Sequence, residues 1–139
     1  MNISEESRNM IVKEIDYIAS KMQKAATPEE KLYYFSATYG LINRVVNFEY
    51  DDELIFLHFV LQQAYMALQQ RLVALTKGGD SIIPLTEKHF DKLLKTTKEL
   101  GKKIKQGEEI TGTLKEFVIL AYTTTGNGYY LLDKGIMKI

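Results

Sequence analysis

At 139 residues, with 45% hydrophobic and 26% charged positions, the chain has the length and composition of one globular domain that can build its own core. It has no cysteine, which excludes disulfides, thiolate catalysis, zinc fingers and iron–sulfur clusters and makes a reducing cytoplasm the expected setting. Net charge is zero, with residues 1–85 at −3 and residues 86–139 at +3, unlike the strong basic excess of a nucleic-acid binder.

The start, Met1-Asn2-Ile3-Ser4-Glu5-Glu6, is polar and acidic and does not read as a signal peptide. The longest stretch free of Asp, Glu, Lys and Arg runs from Leu54 to Gln70, but it holds His58 and four glutamines and is shorter than the ~20 apolar residues of a membrane span.

Periodicity predicts a first helix from Ser4 to Ala25, with Ile11, Ile15, Ile18, Met22 and Ala25 on one face. Thr27-Pro28-Glu29-Glu30 then reads as an N-cap, an N1 proline and a capping-box glutamate. The tight connection implies an antiparallel hairpin of helices, the second burying Leu32, Phe35, Tyr39, Ile42 and Val46 and fading near Asn47.

A third helix is expected after the acidic cluster Glu49-Tyr50-Asp51-Asp52-Glu53, running to about Thr76 and stopping at Lys77-Gly78-Gly79. Gly78 to Leu85 reads as a loop, and a fourth helix as Thr86 to about Lys105, with Phe90, Leu93, Leu100 and Ile104 inward and Gly107 beyond its end. Thr113-Leu114-Lys115-Glu116 has the form of another capping box and predicts the start of a fifth helix that buries Phe117, Val118 and Ala121. Beyond Thr123 two readings stand. The preferred one is a helix broken near Gly126 and resuming at Tyr129; the other pairs Phe117–Thr124 with Tyr129–Leu132 as a hairpin turned at Gly126-Asn127-Gly128. The expected fold is all-α: residues 1–139 as a single-domain, up-down antiparallel bundle of about five helices.

No catalytic motif emerges. A carboxylate-bridged di-iron site in a bundle needs Glu-x-x-His pairs, but Ile55 and Thr86 stand three residues before His58 and His89. There is no phosphate-binding loop, nucleophile elbow or His-Glu-x-x-His. No catalytic residue, metal ligand or cofactor is therefore assigned, and the sequence decides neither for nor against enzymatic activity.

The third helix carries the most information. It is apolar on nearly every side, which predicts either a central helix or an oligomer contact. Between its apolar faces run His58, Gln62, Tyr65 and Gln69, at spacings of four, three and four and within about 60° of arc. Enclosed, these side chains need partners, either as a satisfied polar seam or as the lining of a small-molecule pocket. They are the candidate ligand-binding residues.

The fourth helix holds Lys88, Lys92, Lys95, Lys98, Lys102, Lys103 and Lys105 against Glu87, Asp91 and Glu99. That composition suits a solvated face with a basic C-terminus more than an anion or nucleic-acid site. Nine tyrosines and six phenylalanines, with Tyr33, Tyr34 and Tyr39 grouped on the second helix, fit an interaction surface. The leading expectation is a non-enzymatic interaction or scaffold protein forming a homodimer. A small-molecule binder or enzyme with its pocket along the third helix is the alternative, and weak anion or nucleic-acid binding by the fourth helix comes third.

Overall fold

The structure, a computed structural model, describes residues 1–76, 87–123, 130 and 133–136. Its described residues form five helices and no strand: α1 (Glu5–Lys24), α2 (Pro28–Val46), α3 (Asp52–Thr76), α4 (Glu87–Gln106) and α5 (Thr111–Thr123). The fold is an all-α bundle. The expected stop at Lys77-Gly78-Gly79, the loop to Leu85, the start at Thr86 and the break near Gly126 lie outside the described residues. Phe117–Thr123 is helical rather than a hairpin strand. Farther on, the Lys134 N–H donates to the Tyr130 carbonyl at 3.0 Å, and Gly135 stands at φ +66°.

Local chemistry sets most helix ends. Ser4 Oγ accepts from the Ser7 N–H at 3.1 Å, and Thr27 Oγ1 from the Glu30 N–H at 3.2 Å. Glu30 reaches back past the cap to the Ala26 N–H at 3.3 Å, a displaced form of the expected box. Asp51 caps α3 through a 2.9 Å bond from the Leu54 N–H. At the end of α4, Glu108 N–H bonds to Lys103 O and Gly107 N–H to Ile104 O, a Schellman motif that needs the left-handed conformation of Gly107 (φ +67°).

The capping box expected at Thr113–Glu116 for α5 does not form. α5 starts at Thr111, because the buried Ile110 anchors the chain and its carbonyl accepts from the Leu114 N–H at 2.9 Å. Thr113 is thereby drawn inside the first turn, where its hydroxyl caps nothing.

Chain direction alternates. The Met1 ammonium meets Glu53 at 3.1 Å and the Arg8 guanidinium donates to Ile104 O at 2.9 Å, so α1 and α3 begin where α4 ends. With only Gly107–Ile110 between α4 and α5, α5 begins there too. Around the bundle the helices contact in the order α1–α2–α3–α5–α4 and back to α1, with a small contact between α2 and α4 across the interior. An odd ring cannot alternate throughout, and α3 beside α5 is the parallel pair.

The ring encloses one apolar cluster to which all five helices contribute. Phe35 of α2 and Phe117 of α5, both fully buried, meet at 5.9 Å between ring centroids. Ile11, Ile15, Ile18 and Met22 of α1 and Phe90, Leu93, Leu100 and Ile104 of α4 are buried where periodicity places them, while Ala25, at the C-cap of α1, is half-buried. On α2 Leu41 and Val45 are buried, and the expected Tyr39 and Val46 are only half-buried. Buried Thr38 and Thr97 satisfy their hydroxyls on the carbonyls of Phe35 and Leu93, each at 2.7 Å. At Gly101 a Cβ would lie 3.0 Å from Ile15 Cγ2 and 3.1 Å from Asp16 Oδ1, so α1 and α4 approach closely there.

The N-terminal segment is clamped by the acidic α2–α3 link. Asn2 N–H donates to Asp51 at 3.0 Å and Ser4 N–H to Glu49 at 3.0 Å. Hydrogen bonds from the Ser4 side chain and backbone hold the Glu49 carboxyl below the usual carboxylate range. Burial raises the Asp51 value, but bonds from the Asn2 and Leu54 N–H groups and the nearby ammonium outweigh it, and the net shift is downward.

Two outcomes follow from this packing. Gly40→Ala, with open space at its Cβ, is expected to gain about 0.5–1 kcal/mol in urea denaturation from helix propensity alone. Gly101→Ala is expected to lose about 1 kcal/mol, because the fully buried Ile15 cannot withdraw. The lowered carboxyls stabilise the fold above the ordinary range near pH 4, and that contribution is lost as pH falls through their depressed native values. Protection of the Asn2 and Ser4 amides, taken relative to the intrinsic exchange rate at each pH, should therefore fall in acid, and Glu49→Gln should shrink the effect at Ser4.

Candidate functional site: three faces of α3

α3 presents three lengthwise faces. Leu54, Leu57, Val60, Leu61, Ala64, Ala67, Leu68 and Leu72 are buried in the core. His58, Gln62, Tyr65 and Gln69 are half-buried. Phe56, Phe59, Gln63, Met66, Gln70 and Val73 are exposed. The expectation of a central helix enclosed on all sides is not met. Each helix of the ring has two lateral neighbours, here α2 and α5, so one face of α3 is left outward.

The half-buried line follows the α2–α3 seam. Tyr39 of α2 lies 6.5 Å from the His58 ring, edge-on, and 5.4 Å from the Tyr65 ring. Phe59 stands edge-on to His58 at 5.5 Å. His58 Nε2 is shut off from solvent with no hydrogen-bond partner among the described residues. None of the hydrogen bonds between described residues joins two of these four side chains.

The four do not share one cavity. Tyr65 and Gln69 line a hollow of about 280 Å³ with Glu29, Tyr33, Leu72 and Val73. Gln62 borders instead a groove of about 430 Å³ between α3 and α5. His58 lines neither, being wedged among aromatic rings. The line therefore divides into an aromatic seam around Tyr39 and the edges of two separate hollows. Among the described residues no three His, Asp or Glu side chains gather as a metal site would require.

The exposed face is the feature that sequence reading did not separate out. Phe56 and Phe59 are 59% and 60% exposed and Met66 is 47% exposed. The six exposed residues recur at spacings of three, four, three, four and three, the heptad period of a coiled-coil seam. The α3–α5 groove continues the face through Val118, Ala121 and Tyr122. Its spacing was present in the sequence, but the core face has the same period, and only the neighbours decide which seam points out.

On α4, Lys92 is held by Glu116 at 2.7 Å and Lys98 donates to Gln23 at 2.6 Å. Two lysines of the basic helix are thus engaged at the surface by its neighbours α5 and α1. No helix among the described residues is long and apolar enough to cross a membrane. No protein-family model matches the chain, and no curated protein or solved structure is significantly similar to it.

If Tyr39 and Tyr65 pack as a unit, a double-mutant cycle of Tyr39→Ala and Tyr65→Ala should give a coupling of about 0.5–1.5 kcal/mol in denaturant unfolding. A coupling near zero would mean that the two rings act independently.

Proposed function

We propose that this protein is a non-enzymatic interaction protein that forms a homodimer by pairing the exposed face of α3 with the same face of a second copy. The observation that carries the reading is the uncharged heptad seam Phe56–Phe59–Gln63–Met66–Gln70–Val73 on an otherwise folded surface. The apolar side chains of this face and Tyr122 leave on the order of 400 Å² in water, the size of the largest apolar patch on a typical monomer, which is often a functional surface.

Several features favour a second copy of the chain as the occupant. Seam spacing of 3.5 residues accommodates another helix rather than an extended peptide. Residues 54–70 carry no Asp, Glu, Lys or Arg, so the face meets its own copy without like-charge repulsion. Gln63 and Gln70 each bring a donor and an acceptor, and an amide can satisfy its twin across a two-fold axis. Antiparallel pairing is the better arrangement, since parallel pairing would set Asp52 and Glu53 against their own copies.

Each exposed phenylalanine offers roughly 100 Å², or about 2.5 kcal/mol on burial. Four of them in a dimer contribute about 10 kcal/mol, the same order as the entropic cost of association. A dimer that dissociates on dilution is therefore expected, rather than an obligate one. The small-molecule alternative along His58, Gln62, Tyr65 and Gln69 is less well supported, because those residues divide between separate hollows. The cytoplasm remains the proposed location.

Sedimentation equilibrium across a range of concentrations tests the reading. The wild type should move from monomer to dimer, and Phe59→Glu should stay monomeric without losing thermal stability. Tyr17→Glu, on an exposed position of α1, should dimerise as the wild type does. A wild type that remains monomeric throughout, or a Phe59→Glu variant that still dimerises, would overturn the proposal.

A further inference from the structure

A second feature lies on the opposite flank of α5, in the cleft of about 580 Å³ that this helix forms with α4. We infer that this cleft binds the phosphate group of a small phosphomonoester at the N-terminus of α5, with Gly112, Thr113, Lys95 and Lys103 as the holding residues.

The inference starts from the displaced helix start. Because α5 begins after Ile110, no side chain among the described residues caps it, and the Thr111 hydroxyl donates instead to the Glu109 carboxylate at 3.1 Å. The Thr111, Gly112 and Thr113 N–H groups precede the first helical bond, that from Leu114 N–H to Ile110 O, and no described group accepts from them. Such a terminus carries a partial positive charge and outward donors.

An independent observation points to a ligand at the same place. Thr113 lines the cleft, is 3% exposed, and its hydroxyl has no hydrogen-bond partner among the described residues. A buried hydroxyl left unpaired costs about 1–3 kcal/mol, which an oxyanion accepting from it would recover. Gly112 also lines the cleft, and nothing stands within 4 Å of the position its Cβ would occupy, so a ligand can reach the backbone there.

Charge selects the class of ligand. Across the cleft Lys95 and Lys103 make no ion pair among the described residues, whereas Lys92 is committed to Glu116. Asp91 and Glu99 line the cleft as well and cancel part of this charge. A polyanion such as a nucleic acid gains little from such a balanced surface. A single phosphate held by directed N–H and O–H donors does not need a large field. The cleft exceeds the volume of one phosphate, and the two carboxylates offer acceptors to hydroxyl or ammonium groups on the esterified part.

Amide NMR titration with glycerol 3-phosphate and, in a separate arm, inorganic phosphate tests this directly. Saturable shifts are expected at Gly112 and Thr113, with millimolar affinity or better and the ester binding more tightly. Thr113→Val, which keeps the shape and removes the hydroxyl, should weaken binding about tenfold while leaving the melting temperature unchanged or raised. Lys103→Gln should weaken it to a similar extent. Absence of saturable shifts at these amides, or shifts that persist undiminished in Thr113→Val, would overturn the site. Equal affinity for free phosphate and the ester would overturn the assignment of an ester. Dimerisation is measured separately, so failure of either proposal leaves the other standing.

Discussion

The constraint on which the molecule depends is the closing of five helices around a single apolar interior. Phe35 and Phe117 meet across that interior, and every helix turns its buried stripe toward it. A ring of this kind gives each helix two lateral neighbours and leaves it one outward face. On α1 and α4 that face carries many charged residues, among them Glu5, Lys13 and Asp16 of α1 and Lys95, Lys98 and Lys102 of α4. On α3, from Phe56 to Val73, it carries none.

That exception orders the functional argument. An apolar outward face costs solubility unless something covers it, and α3 carries such a face at the spacing another helix would use. The polar line on the same helix is less prominent in three dimensions than it is on a helical wheel. Its members meet different surroundings: Tyr39 packs against His58 and Tyr65 in an aromatic seam, Tyr65 and Gln69 border one hollow, and Gln62 borders another.

Helix starts show how far local chemistry reaches. Ser4, Thr27 and Asp51 cap the helices that follow them, since in each case the cap residue and the amide it serves are neighbours in the chain. Thr113 has the right neighbours for a cap and does not act as one. Burial of Ile110 outweighs a capping bond worth about 1 kcal/mol, and the helix starts earlier. That shift leaves the Thr113 hydroxyl without a partner among the described residues at the edge of the cleft beside α5, a position no motif in the sequence announced.

The sequence by itself determined the all-α class, the run of α1 through α5, most of the inward residues and the charge-free stretch of α3. Each of these depends on contacts between residues a few positions apart, where helical periodicity, caps and glycine stops act. Only the tertiary structure decided that α5 rather than α4 lies beside α3, and therefore which of two seams with the same period faces water. It also decided that His58, Gln62, Tyr65 and Gln69 part company, and that Thr113 lies unpaired at a cleft. Those outcomes turn on which helices become neighbours, and periodicity within one helix carries no information about what will stand next to it.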